Sequence, residues 1–281
     1  AAAHRAALLH ELAGPGLRAG QAVERPIQQL LYLRLGHAER EPHGALFALA
    51  EPDLRIVQAS ANTDERLSVE PRALLGETVD RVIGRGGRDV VQRALLATDP
   101  RAESPLRLRA DGRDFDGIIH RSGAYAILEL EPTTDDVVTF GHFYRQVRGA
   151  VARLQRGQRV VETCEHAVAE IAAMTGFDRV MAYRFDRDDH GHVIAEKKRD
   201  GLEPFLDLHY PASDIPAQAR RLYTLNWLRL IADASYRPAP LLAASGSPTE
   251  PLDLTYSVLR SVSPIHCEYL RNMGVAASMS I

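Results

Sequence analysis

The stretch Asp207-Leu-His-Tyr-Pro-Ala-Ser-Asp-Ile-Pro-Ala-Gln-Ala-Arg220 changes from extended to helical character halfway along. Pro211 and Pro216 disfavour helical backbone in the residues before them, and a proline is well suited to the first position of a helix. We therefore expect an extended segment that gives way to a helix at about Pro216. Asp214 is then left on non-helical backbone at the mouth of that helix, with its carboxylate and its carbonyl facing outward.

The residues beyond Pro216 repeat at a spacing of three and four, which predicts a helix with one buried face. The members of this stripe are Ala219, Leu222, Tyr223, Asn226 and Leu230. The same helix is predicted to carry Arg229.

Composition limits the classes of function. A chain of 281 residues is long enough for two domains, each with its own core. Its 34 basic and 37 acidic residues give a net charge of -3, which argues against a broad basic surface for nucleic acid or anionic membrane. No apolar run approaches the length of a membrane span. Cys164 and Cys267 lie far apart, match no metal-binding spacing and indicate a reducing cytoplasm.

The first half of the chain is predicted to contain a helical leader and then a small sheet. Residues 1–40 are interpreted as two helices, at 2–13 and 21–35, separated by Gly14-Pro15-Gly16. Short strands and small helices then follow. The strands are predicted at residues 45–49, 54–59, 106–110, 115–120 and 125–130. This order is typical of an antiparallel PAS-type sheet.

The second half is predicted to mix longer helices with strands. The polar residues 133–136 mark the boundary between the halves. Helices are predicted at 140–155, 160–174 and 264–273, and strands at 179–185, 192–198 and from 276 onward. Ser263 is a suitable N-cap for the last helix, with Pro264 at its first position and Gly274 at its end.

Several motifs resemble bacterial phytochromes. Pro-Ala-Ser-Asp-Ile-Pro at residues 211–216 resembles the signature of their chromophore-binding GAF domain. Pro-His-Gly-Ala-Leu at residues 42–46, together with residues 53–62 and 127–132, resembles the PAS domain that precedes it. The resemblance implies an α+β fold in which each domain is an antiparallel sheet flanked by helices. The implied boundaries are a leader at 1–40, a PAS domain at 41–132 and a GAF domain at 137–281.

The resemblance also implies a function, that of a red and far-red light photoreceptor module that binds biliverdin. The implied partners of the two propionates are Arg229 and Arg260, with the hydroxyls of Ser263, Ser278 and Ser280. The backbone carbonyl of Asp214 and the ring of His266 are implied acceptors for the pyrrole N–H groups. The implied enclosure of the pigment consists of Tyr183, Tyr210, Tyr269, Tyr223 and Met181, with Ile215 and Pro216 against its face.

This chain departs from the family at the attachment point. Bacterial phytochromes attach biliverdin through a cysteine before the PAS domain, and this chain shows none there. Plant-type and cyanobacterial relatives use the residue before the pocket histidine, which is Ile265 here. Cys267 lies about 100° round the helix from His266, so we interpret it as a structural thiol. The sequence thus predicts biliverdin bound without a covalent bond, in a cytoplasmic homodimer whose output kinase lies outside this chain.

Parts of the sequence are compatible with three other functions. A pigment-free PAS-GAF sensor or interaction module is supported by the missing cysteine. A GAF domain for a cyclic nucleotide leaves the Arg260, Ser263 and His266 motif unexplained, and an enzyme acting on the pigment lacks a visible site for a reductant. His190 and His192 with Asp188 and Asp189 suggest a metal site, but we interpret them as a solvated hairpin loop.

Overall fold

The computed structural model describes residues 43–133, 144–226, 228–246 and 252–281, together with the backbone alone of 4–10, 39–40 and 140–143. Strands make up much of this described part. The strands are β1 (His4–His10), β2 (Glu39–Arg40), β3 (Ala45–Ala50), β4 (Arg55–Ser60), β5 (Leu106–Ala110), β6 (Arg113–Ser122), β7 (Tyr125–Pro132), β8 (Arg179–Phe185), β9 (Gly191–Lys198), β10 (His209–Tyr210), β11 (Arg229–Ile231), β12 (Ala239–Ala243) and β13 (Val275–Ser280). The α-helices are α1 (Thr63–Leu67), α2 (Pro71–Leu74), α3 (Asp80–Leu95), α4 (Phe140–Leu154), α5 (Val160–Thr175), α6 (Ala217–Leu225) and α7 (Pro264–Asn272).

These elements form two units. The first unit contains the described residues within Ala22–Asp135 together with Tyr236–Cys267. The second contains β1, the described residues within Asp136–Ser235 and Glu268–Ile281. The segment Tyr236–Cys267 was placed by its sequence in the second domain, yet it groups with the first unit. The boundaries at 41–132 and 137–281 stay a prediction.

The first unit contains the predicted antiparallel sheet. Its strand order is β2-β12-β4-β3-β7-β6-β5, and each neighbouring pair is antiparallel. Successive side chains of a strand alternate between faces. On one face Phe47 and Leu49 join the main core, and on the other Leu46 and Ala48 contact Leu254 of the returning segment. Because both faces are covered, β3 is apolar along its whole length.

A buried carboxylate holds the returning segment to this sheet. Glu129 on β7 is fully buried, and its two oxygens accept the backbone N–H groups of Val258 at 3.1 Å and Leu259 at 2.7 Å. His120 on β6 lies beside it, with 3.9 Å between Nδ1 and Glu129 Oε1. A buried carboxylate is stable only when hydrogen bonds replace its water, so Glu129 fixes where the segment returns.

The second unit has a sheet in the order β10-β9-β8-β1-β13-β11. Helix α5 covers one face, where Val168 packs against Val180, Ala182 and Ile194. The pairs of β8 with β9, β9 with β10 and β11 with β13 are antiparallel, as predicted. Strand β1 departs from this pattern because it runs parallel to both β8 and β13.

The predicted helix at residues 2–13 is therefore wrong over His4–His10, which is a strand. Its alanine and leucine residues favour a helix locally. In the fold, however, hydrogen bonds to two neighbouring strands outweigh this weak local preference. The remainder of that prediction, the helix at 21–35 and most of the boundary residues 133–136 lie outside the described residues.

The helix after Pro216 is shorter than predicted. Helix α6 ends at Leu225, and Asn226 adopts extended backbone. Arg229 was predicted on this helix but begins β11, because pairing with β13 extends the chain there. The predicted stripe is only partly buried. Ala219, Leu222 and Tyr223 have intermediate exposure, and none of the α6 residues, all of which the structure describes, is fully buried. Two predicted helix ends in the second half are confirmed, since Gly176 follows α5 and Pro264 begins α7.

Candidate functional site

The second unit carries an aromatic cluster on the face of its sheet opposite α5. Because side chains alternate along β8, Met181 and Tyr183 point away from the face that α5 covers. Both are nearly buried, at 8% and 5% exposure. The partly buried side chains that pack against them and Val193 are Phe185, Phe205, Tyr210 and Ile215. The ring centroids of Tyr183 and Tyr210 lie 5.9 Å apart. Four predicted site residues thus meet in one cluster.

The loop that carries Asp214 is held by backbone and side-chain contacts. The Asp214 N–H donates to the carbonyl of Pro211 at 3.0 Å. Arg220 on α6 donates to the carbonyl of Ile215 at 2.5 Å and pairs with Asp189 of the β8–β9 hairpin at 2.7 Å. Pro216 is the N-cap residue of α6, so Asp214 is not its cap. The Asp214 side chain is exposed.

The charge of Asp214 acts on the tyrosines around it. Burial, and then the negative charge of Asp214, raises the pKa of the Tyr183 phenol. The same two causes in the same order raise the pKa of Tyr269. Burial is also the main cause that raises the pKa of Tyr210, with smaller contributions from Tyr269 and Asp214. A raised pKa keeps these phenols protonated near neutral pH, and a protonated phenol can donate a hydrogen bond. Tyr223 on α6 contributes to the raised pKa of Tyr183 as well.

Arg229, Ser278 and Ser280 share one face of the sheet. Arg229 is opposite Ser280 in the β11–β13 pair, and Ser278 lies two residues along on the same side. Strand β1 links them to the aromatic cluster, since Leu8 pairs with both Ser280 and Met181. Paired residues lie on the same face of a sheet. Arg229 is 5% exposed, so it is a buried guanidinium on the face that carries Tyr183.

Arg260, Ser263 and His266 belong to the first unit, near the end of its returning segment. Arg260 donates to the carbonyls of Ser257 at 2.9 Å and Thr255 at 3.3 Å. Ser263 is exposed, and its carbonyl accepts the N–H of His266 at 2.9 Å in the first turn of α7. The predicted convergence of these three residues with Asp214 stays a prediction.

Sequence reasoning missed a buried ion pair next to the aromatic cluster. Arg179 on β8 and Glu196 on β9 are 2% and 4% exposed and contact each other directly. Glu196 also accepts the backbone N–H of Phe205 at 3.0 Å, while the Arg179 guanidinium lies 3.7 Å from the centroid of the Phe205 ring. The ion pair therefore positions a ring of the cluster. Charged residues within two apolar strands were the signal that could have indicated it.

The residues of this face fit a flat conjugated ligand with carboxylates. Aromatic rings and Met181 provide an apolar wall, Arg229 can pair with a carboxylate, and the hydroxyls of Ser278 and Ser280 can donate to one. Neither cysteine forms a disulfide. Cys164 packs with the α5 side of the sheet, and Cys267 is 6% exposed on α7. Among the helices in the described part of the chain, none is long and apolar enough to cross a membrane.

Comparison with known proteins agrees with this architecture. Residues 38–133 match a family model described as PAS fold. The chain is 44% identical over 247 residues to cyanobacterial phytochrome B of Nostoc, a match that covers 86% of this chain and 33% of that protein. It is 42% identical over 244 residues to the bacteriophytochrome of Pseudomonas aeruginosa, again covering 86% of this chain and 33% of the relative. The chain therefore spans a third of the length of these relatives.

A solved structure extends the comparison to the fold. The chromophore-binding domain of the Stigmatella aurantiaca bacteriophytochrome is 45% identical, with a TM-score of 0.81. The match covers 87% of this chain and 82% of that domain, so it includes both units. Membership of one family explains the two sheets, the motifs at residues 42–46 and 211–216 and the extent of the match. The chain belongs to the phytochrome family, and it is an α+β PAS-GAF chromophore-binding region of that family.

Proposed function

We propose that this chain binds biliverdin on the aromatic face of its second unit and acts as a red and far-red light photoreceptor module. Biliverdin supplies a conjugated system that absorbs red light and can isomerise at the double bond next to its terminal ring. The observation that carries the proposal is the cluster of Met181, Tyr183, Tyr210 and Ile215 on that face. Burial, and then the charge of Asp214, raises the pKa of the nearly buried Tyr183 phenol and of the more exposed Tyr269 phenol beside it. Such a group can respond to a change in a bound ligand by exchanging hydrogen bonds.

Each proposed binding residue has a chemical task. Arg229 and Arg260 pair with the two propionates, since a guanidinium holds a carboxylate through two hydrogen bonds. Ser263, Ser278 and Ser280 add hydroxyl donors. The Asp214 carbonyl and His266 accept from the pyrrole N–H groups. The apolar and aromatic contacts come from Met181, Tyr183, Tyr210, Tyr223, Tyr269, Ile215 and Pro216.

We propose that the pigment is held without a covalent bond to this chain. Cys164 lies on α5 and packs, partly buried, against the core on the sheet face opposite Tyr183. Cys267 is nearly buried, and its neighbour Ile265 stands where a cysteine would be needed for plant-type attachment. The binding energy then comes from the two arginines and from burial of the conjugated system.

The wider assignment follows from the same proposal. We propose that the chain functions in the cytoplasm as a homodimer through α4, whose described residues include the exposed Tyr144 and Val151. The chain itself is not proposed to be an enzyme. An output activity such as a histidine kinase would lie in other parts of the protein, since the relatives are longer.

The proposal is tested by adding biliverdin to the purified chain and recording the visible spectrum in the dark and after red light. We expect a narrowed red band that forms with one pigment per chain and changes reversibly on illumination. Arg229→Met should weaken binding, whereas Arg221→Met, the same change at an exposed position on α6, should not. A denaturing gel stained for pigment by zinc fluorescence should show none attached. If no band forms, the pigment-free sensor is the better assignment.

A further inference from the structure

A cluster of histidines and carboxylates lies at the edge of the second unit's sheet. His192 on β9 pairs in register with His209 on β10 and with Arg184 on β8. Arg184 alternates with Tyr183 along β8, so the histidines lie on the face opposite the aromatic cluster. The cluster is therefore separate from the proposed pigment site.

The geometry of the cluster is compact. The rings of His192 and His209 are stacked, with centroids 4.1 Å apart and an interplanar angle of 12°. The ring of His190 lies 5.1 Å from that of His209. One ligand atom each from Asp186, His192 and His209 lies within 4.8 Å of the other two. Such a set comes from three separate points in the chain, so sequence spacing alone could not reveal it.

We propose that Asp186, His192 and His209 bind a divalent transition-metal ion of the zinc class. Two imidazole nitrogens and one carboxylate oxygen are donors that Zn²⁺ prefers, and the exposure of His209 leaves a fourth position open to water. In a tetrahedral site with bonds of about 2.0 Å, ligand atoms lie roughly 3.4 Å apart. Rotation of these side chains, which are at least partly exposed, can bring the three ligand atoms from within 4.8 Å of one another to about that distance.

The neighbouring side chains support such a site. Arg184 donates to Asp186 Oδ1 at 2.9 Å, and His190 Nε2 contacts Asp186 Oδ2 at 3.2 Å. A carboxylate accepts more than one contact per oxygen, so Asp186 keeps a lone pair for a metal. His190 is thus a positioning residue that orients the carboxylate. Asp207 lies 3.6 Å from His192 Nε2 and adds negative charge nearby.

A bound ion would join β10 to the β8–β9 hairpin. Strand β10 leads directly through Tyr210 into the loop of residues 211–216, so the ion would stabilise the strand next to the pigment site. This inference is independent of the proposed function, because the metal ligands face away from the aromatic cluster.

The test is a calorimetric titration of the full chain with Zn²⁺, prepared without pigment because tetrapyrrole nitrogens bind zinc themselves. We expect one ion per chain and a thermal midpoint that rises with zinc. His192→Asn and His209→Asn should each weaken binding about tenfold or more and abolish the shift in midpoint. His166→Asn, in α5 of the same unit but outside the cluster, is the matched control and should bind as the wild type does.

A second measurement uses the wild-type chain and tests the proposal even if the histidine variants are unstable. In the wild-type chain, zinc should perturb the histidine ring NMR signals of His192 and His209, while the signal of His166 stays in place. The proposal is overturned if zinc releases no heat and shifts no signal. It is overturned equally if both histidine variants bind zinc as tightly as the wild type, or if other histidines carry the perturbation.

Discussion

The hydroxyl of Tyr183 occupies the space that a side chain at residue 191 would need. A Cβ atom placed on Gly191 would lie 1.6 Å from the Tyr183 hydroxyl oxygen and 1.8 Å from the ring carbon that bears it. The ring therefore lies directly over the backbone of β9 at this glycine. The aromatic cluster of the second unit therefore depends on the absence of a side chain at Gly191.

Gly191→Ala should displace the Tyr183 ring and destabilise the second unit. The clash involves a ring held between Phe185 and Tyr210, so we expect a loss of about 1–3 kcal/mol in the free energy of unfolding, typical of overpacking. Urea denaturation measures the loss. Gly86→Ala in α3 is the control, because no atom lies within 4 Å of its Cβ position. The explanation fails if the two variants are equally stable.

Glu196→Ala should destabilise the chain strongly. The substitution leaves the guanidinium of Arg179 buried without its carboxylate and removes the acceptor for the Phe205 N–H, so we expect a loss of about 3–5 kcal/mol. Chemical denaturation followed by circular dichroism is the measurement. Arg159→Ala is the control, because it breaks an exposed pair and leaves Glu162 to accept the Gln158 N–H, and it should change the midpoint little.

A double variant separates charge from packing at this pair. Arg179→Met combined with Glu196→Leu replaces the ion pair by apolar side chains of similar size, and it should recover much of the stability that Glu196→Ala loses. If the double variant is as unstable as the single one, the loss of stability comes mainly from the missing hydrogen bond to the Phe205 N–H. The unpaired charge of Arg179 is then the smaller cause.

Acid should destabilise the first unit through His120. Burial, and then the positive charge of Arg101, lowers the pKa of His120 from 6.5 to about 4, while Asp253 opposes this shift. Glu129 lies 3.9 Å away and His120 Nε2 contacts the Ser257 hydroxyl at 3.4 Å. The unfolded chain binds a proton at this histidine below pH 6.5, whereas the folded chain does not until about pH 4. Stability is therefore lost as the pH falls between these two values.

The expected size of this effect is up to about 3 kcal/mol in the free energy of unfolding, because one pKa unit corresponds to about 1.4 kcal/mol. Urea unfolding at a series of pH values measures it. In His120→Gln, which cannot take up the proton, the free energy of unfolding should fall less steeply as the pH is lowered. An unchanged slope in that variant would assign the acid sensitivity to other groups.

Asp214→Asn should lower the pKa of Tyr269. The negative charge of Asp214 opposes formation of a second negative charge on the phenol, so its removal favours the tyrosinate. Titration followed by tyrosinate absorption at alkaline pH measures the change. Asp207→Asn removes an exposed carboxylate from the same loop region and should leave the titration of Tyr269 as it is. Equal shifts in the two variants would argue against a specific role for Asp214.

Local sequence was sufficient for most of the secondary structure. Alternating apolar residues located β3 to β9 and β13, and Pro216, Pro264 and Gly176 marked helix ends, because these signals depend only on neighbouring residues. The strands β1, β11 and β12 were not predicted. The family motifs indicated Met181 and Tyr183 as site residues, and the structure brings these together with Tyr210 and Ile215.

By itself, then, the sequence determined the α+β class, most of the strands and four members of the aromatic cluster, which are Met181, Tyr183, Tyr210 and Ile215. Only the tertiary structure decided that residues 4–10 form a strand, that the segment Tyr236–Cys267 returns to the first sheet, and that His209 stacks on His192. The physical reason is the distance along the chain over which each interaction acts. Propensity and periodicity act between neighbours along the chain, whereas these features depend on hydrogen bonds and ring contacts between residues that only folding brings together.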